Sequence, residues 1–346
     1  MDGDGRGPSE VTLEEVARRA GVSPSTVSRI LNGTARVRES KRKAVERAIA
    51  ELDYHPNVMA RGLAGGRSMS IGVVTQDISS PFYNETLKGI EDSISVAGYA
   101  PLFVSGHWNR AKEAERMALL VARRVDGIIV LTGILDDATL LTYAQRMPIV
   151  ITGRSLRAPN LYSIQLGNEQ AAYEATRHLI ELGHSRIAHI GGPEDNVDAQ
   201  ERLAGFRRAL AEANLPMEDR LLAVGDFHEA SGLLALNQLL DTRLNFTALF
   251  VANDQMAYGA RLALYRKGIR VPEDVSLIGF DDLPGSLYST PPLTTVRQPV
   301  YDLGKAAGGA MLQLIQGRPV SEVVIPSLPL ELIARESTQR RRGQSY

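Results

Sequence analysis

The fold of this chain is decided near its start by the stretch Val11-Thr-Leu-Glu-Glu-Val-Ala-Arg-Arg-Ala-Gly-Val-Ser-Pro-Ser-Thr-Val-Ser-Arg-Ile-Leu-Asn-Gly33. Thr12, followed three residues later by Glu15, is a capping box, so a helix begins here. A second helix follows at once, because Ser23 is a good N-cap and Pro24 is favoured at the first helical position. Two short helices joined by a tight turn are typical of a helix-turn-helix.

The second helix, predicted over residues 24–31, has an apolar and a polar face. Val27, Ile30 and Leu31 share one side. The opposite side carries short polar side chains and the guanidinium of Arg29, which suits insertion into the major groove of DNA. A generic helical hairpin is the alternative. The residues expected to contact DNA here are Thr12, Ser23, Pro24, Ser25, Thr26, Ser28, Arg29 and Asn32.

The segment downstream strengthens the DNA-binding hypothesis. A third helix is predicted over residues 39–52, with apolar residues inward and basic residues such as Arg42 and Lys43 outward. Residues 1–67 hold twelve Lys or Arg and nine Asp or Glu, so this part carries a net charge of +3 and the rest of the chain −4. A basic segment favours a polyanionic partner, although a solvated basic face has the same charge.

Residues 11–68 resemble the headpiece and hinge of the LacI family of bacterial transcriptional regulators. The similarity continues through Tyr54-His-Pro-Asn-Val-Met-Ala-Arg-Gly-Leu-Ala-Gly-Gly-Arg-Ser68. It implies that a hinge helix forms on operator DNA, that Asn57 and Ala60 contact the DNA, and that Leu63 wedges between base pairs. A hinge segment this short does not form a stable helix in water. A binding partner must therefore order it. An interdomain contact is the alternative role for Leu63.

The rest of the chain alternates strand-length apolar runs with amphipathic helices, which predicts parallel α/β sheets in two doubly wound lobes. The family resemblance agrees, since it implies a periplasmic-binding-protein-like core whose two lobes close on a small ligand. The expected divisions are a disordered arm (1–10), a helix-turn-helix domain (11–55), a hinge (56–68), the core (69–336) and a disordered tail (337–346). Within the core, lobe one takes about 69–166 and 299–327, and lobe two takes about 167–298 and 328–336.

Polar and aromatic residues at the predicted strand ends suit a cleft that binds a hydroxyl-rich ligand. Charged and amide side chains hydrogen-bond hydroxyls, and an aromatic face packs on a sugar ring. The resemblance implies that Phe227 is the stacking aromatic. Taken singly, Asn253 or Asp281 could merely cap a helix or a turn. The resemblance also implies that Arg202, Asn253, Asp281 and Gln298 fall at family effector positions. The expected effector-binding residues are Gln76, Phe82 and Tyr83 on the first strand-to-helix loop, together with Arg154, Arg202, Phe227, Asn253, Asp281 and Gln298.

Three departures from the family pattern limit what the resemblance implies. Many relatives carry an aspartate where this chain has Gly153, and Val-Asp-Asn or a similar triplet where it has Leu166-Gly167-Asn168. The resemblance therefore does not identify the sugar. The leucine-heptad extension that makes one family member tetrameric is missing after Ile333, so a homodimer is expected.

Other classes of protein fit the sequence poorly. Hydrophobic residues make up 44% of the chain and charged residues 23%, which is the globular average. No apolar run approaches a membrane span and no signal peptide is seen, so a cytoplasmic protein is expected. Cysteine is absent, which removes thiolate nucleophiles and Cys-ligated zinc. The three histidines 178, 184 and 189 lack metal-site spacing.

No nucleotide fingerprint or nucleophile elbow occurs either, so we expect neither catalysis nor a cofactor. A transport receptor with the same body fold is the rival class, against which the headpiece and the missing signal peptide argue. The expected protein is a dimeric repressor of a carbohydrate-utilisation operon. Its partners are double-stranded palindromic operator DNA and a small effector, a sugar or sugar derivative, whose binding changes operator affinity.

Overall fold

The computed structural model describes residues 11–31, 37–54, 67–242 and 245–341. The chain divides into two compact units, Met1–Ser68 and Met69–Tyr346. Four residues expected to contact DNA, namely Asn32, Asn57, Ala60 and Leu63, lie outside the described residues. Within the described ranges, no helix is long and apolar enough to cross a membrane.

The first unit contains the three predicted helices, α1 (Leu13–Ala20), α2 (Pro24–Leu31) and α3 (Glu39–Leu52). The capping box is confirmed, since the Thr12 hydroxyl accepts from the Glu15 amide at 3.3 Å and a Glu15 carboxylate oxygen accepts from the Thr12 amide at 2.8 Å. A small core holds the helices together. Its buried members are Val16, Ala17, Val27, Val45, Ala48 and Tyr54.

The second unit begins with a five-stranded parallel sheet in the order β2-β1-β3-β4-β5. The strands are β1 (Ser70–Thr75), β2 (Ala100–Ser105), β3 (Gly127–Val130), β4 (Ile149–Thr152) and β5 (Leu161–Ile164). The helices are α4 (Pro81–Ser95), α5 (Arg110–Ala122), α6 (Asp137–Ala144) and the later α12 (Val300–Ile315). Helix α12 packs beside α4 so closely that a Cβ on Gly304 would lie 2.0 Å from the carbonyl oxygen of Thr86.

A second sheet of six strands follows, in the order β11-β10-β9-β8-β6-β7. The chain passes between the two sheets after β5, after β10 and before β11. The strands are β6 (Ile187–Gly191), β7 (Leu222–Val224), β8 (Ala248–Val251), β9 (Ser276–Asp281), β10 (Thr294–Arg297) and β11 (Glu331–Ile333). The helices are α7 (Asn168–Glu181), α8 (Val197–Glu212), α9 (Glu229–Asp241), α10 (Asp254–Arg266) and α11 (Pro284–Tyr288).

The α/β fold of two doubly wound lobes is confirmed, with one difference. Strand β11 pairs antiparallel with β10, whereas the sequence pattern predicts parallel sheets. Two parallel neighbouring strands are normally joined by a crossover connection that contains a helix. No helix lies between the point where the chain last crosses to the second sheet and the start of β11. An antiparallel edge strand on a parallel sheet needs none.

The structure also differs from the expected disordered tail at residues 337–341. Ser337 is buried, and its hydroxyl donates to the Leu277 carbonyl at 2.6 Å and accepts from the Thr294 amide at 2.7 Å. The Arg341 amide donates to the Leu182 carbonyl at 2.9 Å. A polar segment of this kind looks unstructured in sequence, yet here it is held by hydrogen bonds to the second sheet and to the end of α7.

His189 on β6 lies in the core of the second lobe. Its ring stacks on Phe206 with a centroid distance of 4.9 Å and packs at a tilt against Phe250 with a centroid distance of 5.0 Å. Nδ1 lies 3.0 Å from the Phe250 carbonyl, so it carries the proton and donates. Burial lowers the pKa of His189 to about 4, because the charged imidazolium would lose its hydration.

His189 should therefore make the core sensitive to acid. In the unfolded chain a histidine titrates near pH 6.5, whereas the folded protein keeps His189 neutral down to about pH 4. The stability of the folded state is therefore unaffected by this residue above pH 6.5 and decreases as the pH falls toward 4. Between pH 7 and pH 5 we expect the free energy of unfolding to fall by about 2 kcal/mol through this residue. Urea denaturation of His189→Phe at both pH values should lack that loss. The exposed His107→Asn should keep it, and an unchanged pH dependence in His189→Phe would contradict the prediction.

Candidate functional site

The first candidate surface is the polar face of α2. The Ser23 hydroxyl accepts from the Thr26 amide at 3.3 Å, as its role as N-cap predicts. The same hydroxyl lies 3.0 Å from the Ser25 hydroxyl and 2.9 Å from the Thr26 hydroxyl. Ser25 and Arg29 are exposed on this face, whereas Val27 is buried against α1 and α3. The apolar side thus fixes the helix while its hydroxyls and a guanidinium face outward.

Helix α3 adds positive charge to this unit. Arg42, Lys43 and Arg47 are exposed, as predicted. Helices α1 and α3 are also joined by an ion pair of 2.5 Å between Arg19 and Glu51, both of which remain largely exposed. Such a pair contributes little stability, so the apolar core determines how the helices pack.

The second candidate site is a cleft in the core, between the two lobes and at the carboxyl ends of the parallel strands. This is where ligands bind in open α/β folds. The first lobe lines it with Asp77, Ser80, Phe82, Tyr83, Trp108 and Thr132. The second lobe lines it with Asn196, Asp198, Arg202, Phe227, His228, Asn253, Gln255 and Asp281.

Six of the nine predicted effector residues line this cleft. They come from both lobes, although Phe82 and Tyr83 lie in the first turn of α4 and not in the loop before it. The helix begins earlier than expected because Pro81 occupies its first position. The six residues are Phe82, Tyr83, Arg202, Phe227, Asn253 and Asp281.

The structure places Gln76, Arg154 and Gln298 outside the lining of the cleft, which differs from the sequence-based expectation. Gln76 is buried, and its Oε1 accepts from the Trp108 amide at 2.9 Å. Gln298 donates to Asp281 Oδ1 at 2.7 Å. Arg154 is turned toward a neighbouring loop, where it donates to the Gly133 carbonyl at 2.6 Å. All three bind protein groups, so they position the lining residues or their supporting loops.

Arg202 on α8 is held by several contacts. Its Nε donates to Asn168 Oδ1 at 3.0 Å and its Nη1 to the Ala252 carbonyl at 2.5 Å. The same nitrogen lies 3.8 Å from Asp281 Oδ1, and both side chains are 5% exposed. The guanidinium also lies over the Phe280 ring at 3.9 Å. Arg202 therefore enters the cleft with its orientation already fixed.

The cleft is acidic and its carboxylates are poorly hydrated. Burial raises the pKa of Asp281, and the nearby guanidinium of Arg202 opposes that rise. Burial also raises the pKa of Asp198, which accepts from Asn168 Nδ2 at 3.0 Å. Asn253 both caps α10, through the Met256 amide at 3.0 Å, and donates to the Phe227 carbonyl at 2.9 Å. The capping role considered for Asn253 is thus real, and it coexists with a place in the lining.

The backbone around the cleft is strained. Phe227 has φ of 70° and Asp281 has φ of 118°, a region that side-chain-bearing residues rarely adopt. Such strain is concentrated at functional sites, where the surrounding structure maintains it. Gly192 lets the Phe227 ring reach its place, because a Cβ there would lie 2.3 Å from the ring carbon Cζ.

Several contacts cross from one lobe to the other. The Ser80 hydroxyl donates to Gln255 Oε1 at 3.1 Å, and the rings of Trp108 and Phe227 have centroids 6.1 Å apart. A Cβ added to Gly153 would lie 3.2 Å from an Asp198 carboxylate oxygen. Asp198 of the second lobe therefore faces position 153 of the first lobe.

Sequence reasoning missed some of these lining residues. Trp108 is the only tryptophan in the chain, which was a usable signal. Asp198 precedes Arg202 by four residues on a helix, a spacing that puts both on one face. Ser80 and Gln255 carry no comparable signal, since common polar residues of this kind occur throughout the chain.

Comparison with known proteins identifies both parts of the chain. Residues 12–57 match the family model described as bacterial regulatory proteins, lacI family, and residues 176–338 match a periplasmic binding protein-like domain. The HTH-type transcriptional regulator GalR of Escherichia coli (strain K12) is 38% identical over 313 residues, which cover 90% of this chain and 91% of GalR. Catabolite control protein A of Priestia megaterium is 35% identical over 95% of this chain and 99% of its own length.

Solved structures agree with the fold over nearly the whole length. The lac repressor dimer bound to operator and the anti-inducer ONPF superposes with a TM-score of 0.86 at 34% identity, covering 96% of this chain and 100% of that one. The complex of the transcriptional regulator CelR with cellobiose gives a TM-score of 0.70 at 34% identity, covering 94% and 99%. This chain belongs to the LacI family of bacterial transcriptional regulators.

Proposed function

We propose that this protein is a sequence-specific transcriptional repressor of carbohydrate-utilisation genes, and not an enzyme. It acts in the cytoplasm, where it reaches operator DNA, and a small effector bound between the two lobes controls its affinity for that DNA. The observation that carries the proposal is that one chain combines the exposed hydroxyl and guanidinium face of α2 with a polar, aromatic cleft between two lobes.

The charges of the cleft favour a neutral, hydroxyl-rich effector. Among the described lining residues, Asp77, Asp198 and Asp281 carry carboxylates and Arg202 carries a guanidinium that already lies beside Asp281. An anionic ligand would meet three carboxyl groups and a single guanidinium that Asp281 already engages, so the cleft offers it little free positive charge. Carboxylates and amides accept and donate hydrogen bonds to hydroxyls, and Phe227 and Trp108 offer faces for a sugar ring. The cellobiose bound by the relative CelR is a ligand of this class.

A homodimer is part of the proposal. Helices α9, α10 and α11 leave large apolar side chains exposed on the second lobe, and exposed apolar patches mark association surfaces. The lac repressor, similar over the whole chain, is a dimer on its operator. We assign this surface to a second copy of the chain. Its exposed members are Leu234, Leu262, Tyr265, Leu287 and Tyr288.

The test combines DNA selection with a ligand screen. Intact protein should enrich palindromic sites from a random duplex pool, and a chain of residues 69–346 should enrich none. Neutral sugars should raise the melting temperature of both, since a ligand that binds the folded state stabilises it. Fluorescence of Trp108, the only tryptophan, reports on the cleft directly. Sugar binding without any sequence enrichment by the intact chain would favour the transport-receptor alternative.

The hinge prediction concerns Leu63. Leu63→Ala should weaken specific operator binding about tenfold and reduce DNA bending, because an inserted apolar side chain compensates for the unstacking it causes. The selected sites should carry a flexible pyrimidine–purine step at their centre, which we expect to be CG. Circular-permutation gel shifts measure the bend, and the effector affinity should not change. Wild-type bending by the variant would rule out the wedge.

A further inference from the structure

We propose that a second small-molecule site lies behind the effector cleft and takes a neutral polyol. It is a cavity of about 410 Å³, open to solvent on one side and bordered by the end of β6, by β7 and by α8. Gly191 and Gly192 form one of its walls, and Leu203 and Leu222 supply apolar surface. The cavity lies entirely in the second lobe and shares no residue with the lining of the effector cleft.

An unpartnered acceptor at the base of the cavity points to a ligand. His189 is 1% exposed and lines the cavity, and its Nε2 has no hydrogen-bond partner among the residues that the structure describes. Because Nδ1 donates to the Phe250 carbonyl, Nε2 carries a lone pair and accepts. Nε2 is itself buried, and a Cβ on Gly191 would lie 3.5 Å from it. Because Gly191 carries no side chain, a small displacement of the Gly191–Gly192 segment is enough to expose this atom to the cavity. A group that then reaches Nε2 must donate a hydrogen bond.

The rim of the cavity indicates that the ligand is uncharged. Arg207 and Glu194 both line it and both are exposed. Their opposite charges balance. Within the described part of the chain they form no ion pair with each other, so their polar atoms remain available to a ligand. Hydroxyls can donate to His189 and to Glu194 and accept from Arg207. The apolar walls suit the C–H faces of a sugar or polyol.

Occupancy of this site should be felt in the effector cleft. Gly192 lies between the cavity and the effector cleft, because a Cβ added to it would lie 2.3 Å from Cζ of the Phe227 ring. Phe227 in turn contacts Trp108 across the lobes. A ligand that displaces the Gly191–Gly192 segment therefore moves an effector-binding aromatic, and linkage requires that the effect be reciprocal.

The test uses D-sorbitol as the probe on the full chain labelled with ¹⁵N-histidine. Long-range ¹H–¹⁵N correlation spectra resolve Nδ1 and Nε2 of the six histidines. We expect the Nε2 resonance of His189 to move upfield and to saturate in the millimolar range. Gly191→Ala should abolish this shift by narrowing the approach, and Arg207→Gln should weaken binding about tenfold or more.

Two controls separate this site from the cleft and from surface effects. Arg208→Gln, at the next position of α8, should bind sorbitol like the wild type, because Arg208 pairs with Glu169 and lies outside the cavity. Asp198→Asn, which alters the cleft, should leave the His189 shift intact. A His189 resonance that does not respond to sorbitol, while Trp108 fluorescence still reports effector binding, would overturn the inference. A shift lost in Asp198→Asn would place the sorbitol in the cleft and overturn the inference.

Discussion

Replacing Arg202 with alanine should weaken effector binding about a hundredfold and leave operator binding in place. The guanidinium lines the cleft, and its loss leaves ligand hydroxyls without their partner. The same change should lower the free energy of unfolding of the core by about 2–4 kcal/mol, because it leaves the buried acceptors Asn168 Oδ1 and the Ala252 carbonyl without their donor. Asp281 would keep its hydrogen bond with Gln298. Asp281→Ala should weaken effector binding in the same way.

Both effects can be measured on one preparation. Trp108 fluorescence titration gives the effector affinity, urea denaturation gives the stability, and a gel shift with selected operator gives DNA binding. Arg208→Ala is the matched control, since this arginine on the same helix forms a half-exposed pair with Glu169 at 2.6 Å. Such a pair contributes at most about 1 kcal/mol. If Arg202→Ala is folded and binds the effector with wild-type affinity, Arg202 holds the fold and does not bind ligand.

Replacing Arg29 with alanine should cost about 1–3 kcal/mol on the selected operator, up to roughly a 150-fold loss of affinity. Arg29 is the long donor on the exposed face of α2, and arginine makes paired hydrogen bonds to guanine in the major groove. Ser25 and Thr26, whose hydroxyls cluster with that of Ser23, should assist. Specificity should relax at one position of each half-site.

Comparing the affinities for operator and for random DNA distinguishes a contact to a base from a contact to the phosphate backbone. On random DNA, Arg29→Ala should lose much less affinity than on the operator. Lys43→Ala, an exposed lysine on α3, should weaken both complexes equally if it contacts phosphate at all. Equal losses for Arg29→Ala on both DNAs would make Arg29 a phosphate contact.

The features predicted most accurately from the sequence are those that depend on contacts between residues close together in the chain. The capping box at Thr12 and the N-cap at Ser23 involve contacts three residues apart, and the structure contains both. Alternation of strands and helices predicted the two-lobed core. Six lining residues of the cleft were also predicted. Arg202, Phe227, Asn253 and Asp281 came from family resemblance, and Phe82 and Tyr83 from their place after the first strand. Periodicity predicted none of them, because the residues that meet there are far apart in sequence.

Tertiary structure alone decided which polar side chains face the ligand and which support them. Gln298 binds Asp281 across 17 residues, and Gln76 binds Trp108 across 32. No local sequence pattern encodes such partners, because each hydrogen bond forms only when the fold brings two distant segments together. The antiparallel β11 and the ordered Ser337 have the same origin, as does the Nε2 of His189, which lacks a partner within the described part of the chain. The sequence by itself thus determined the helices of the headpiece and the class of the core, while packing between distant segments decided the chemistry of the cleft and of the cavity behind it.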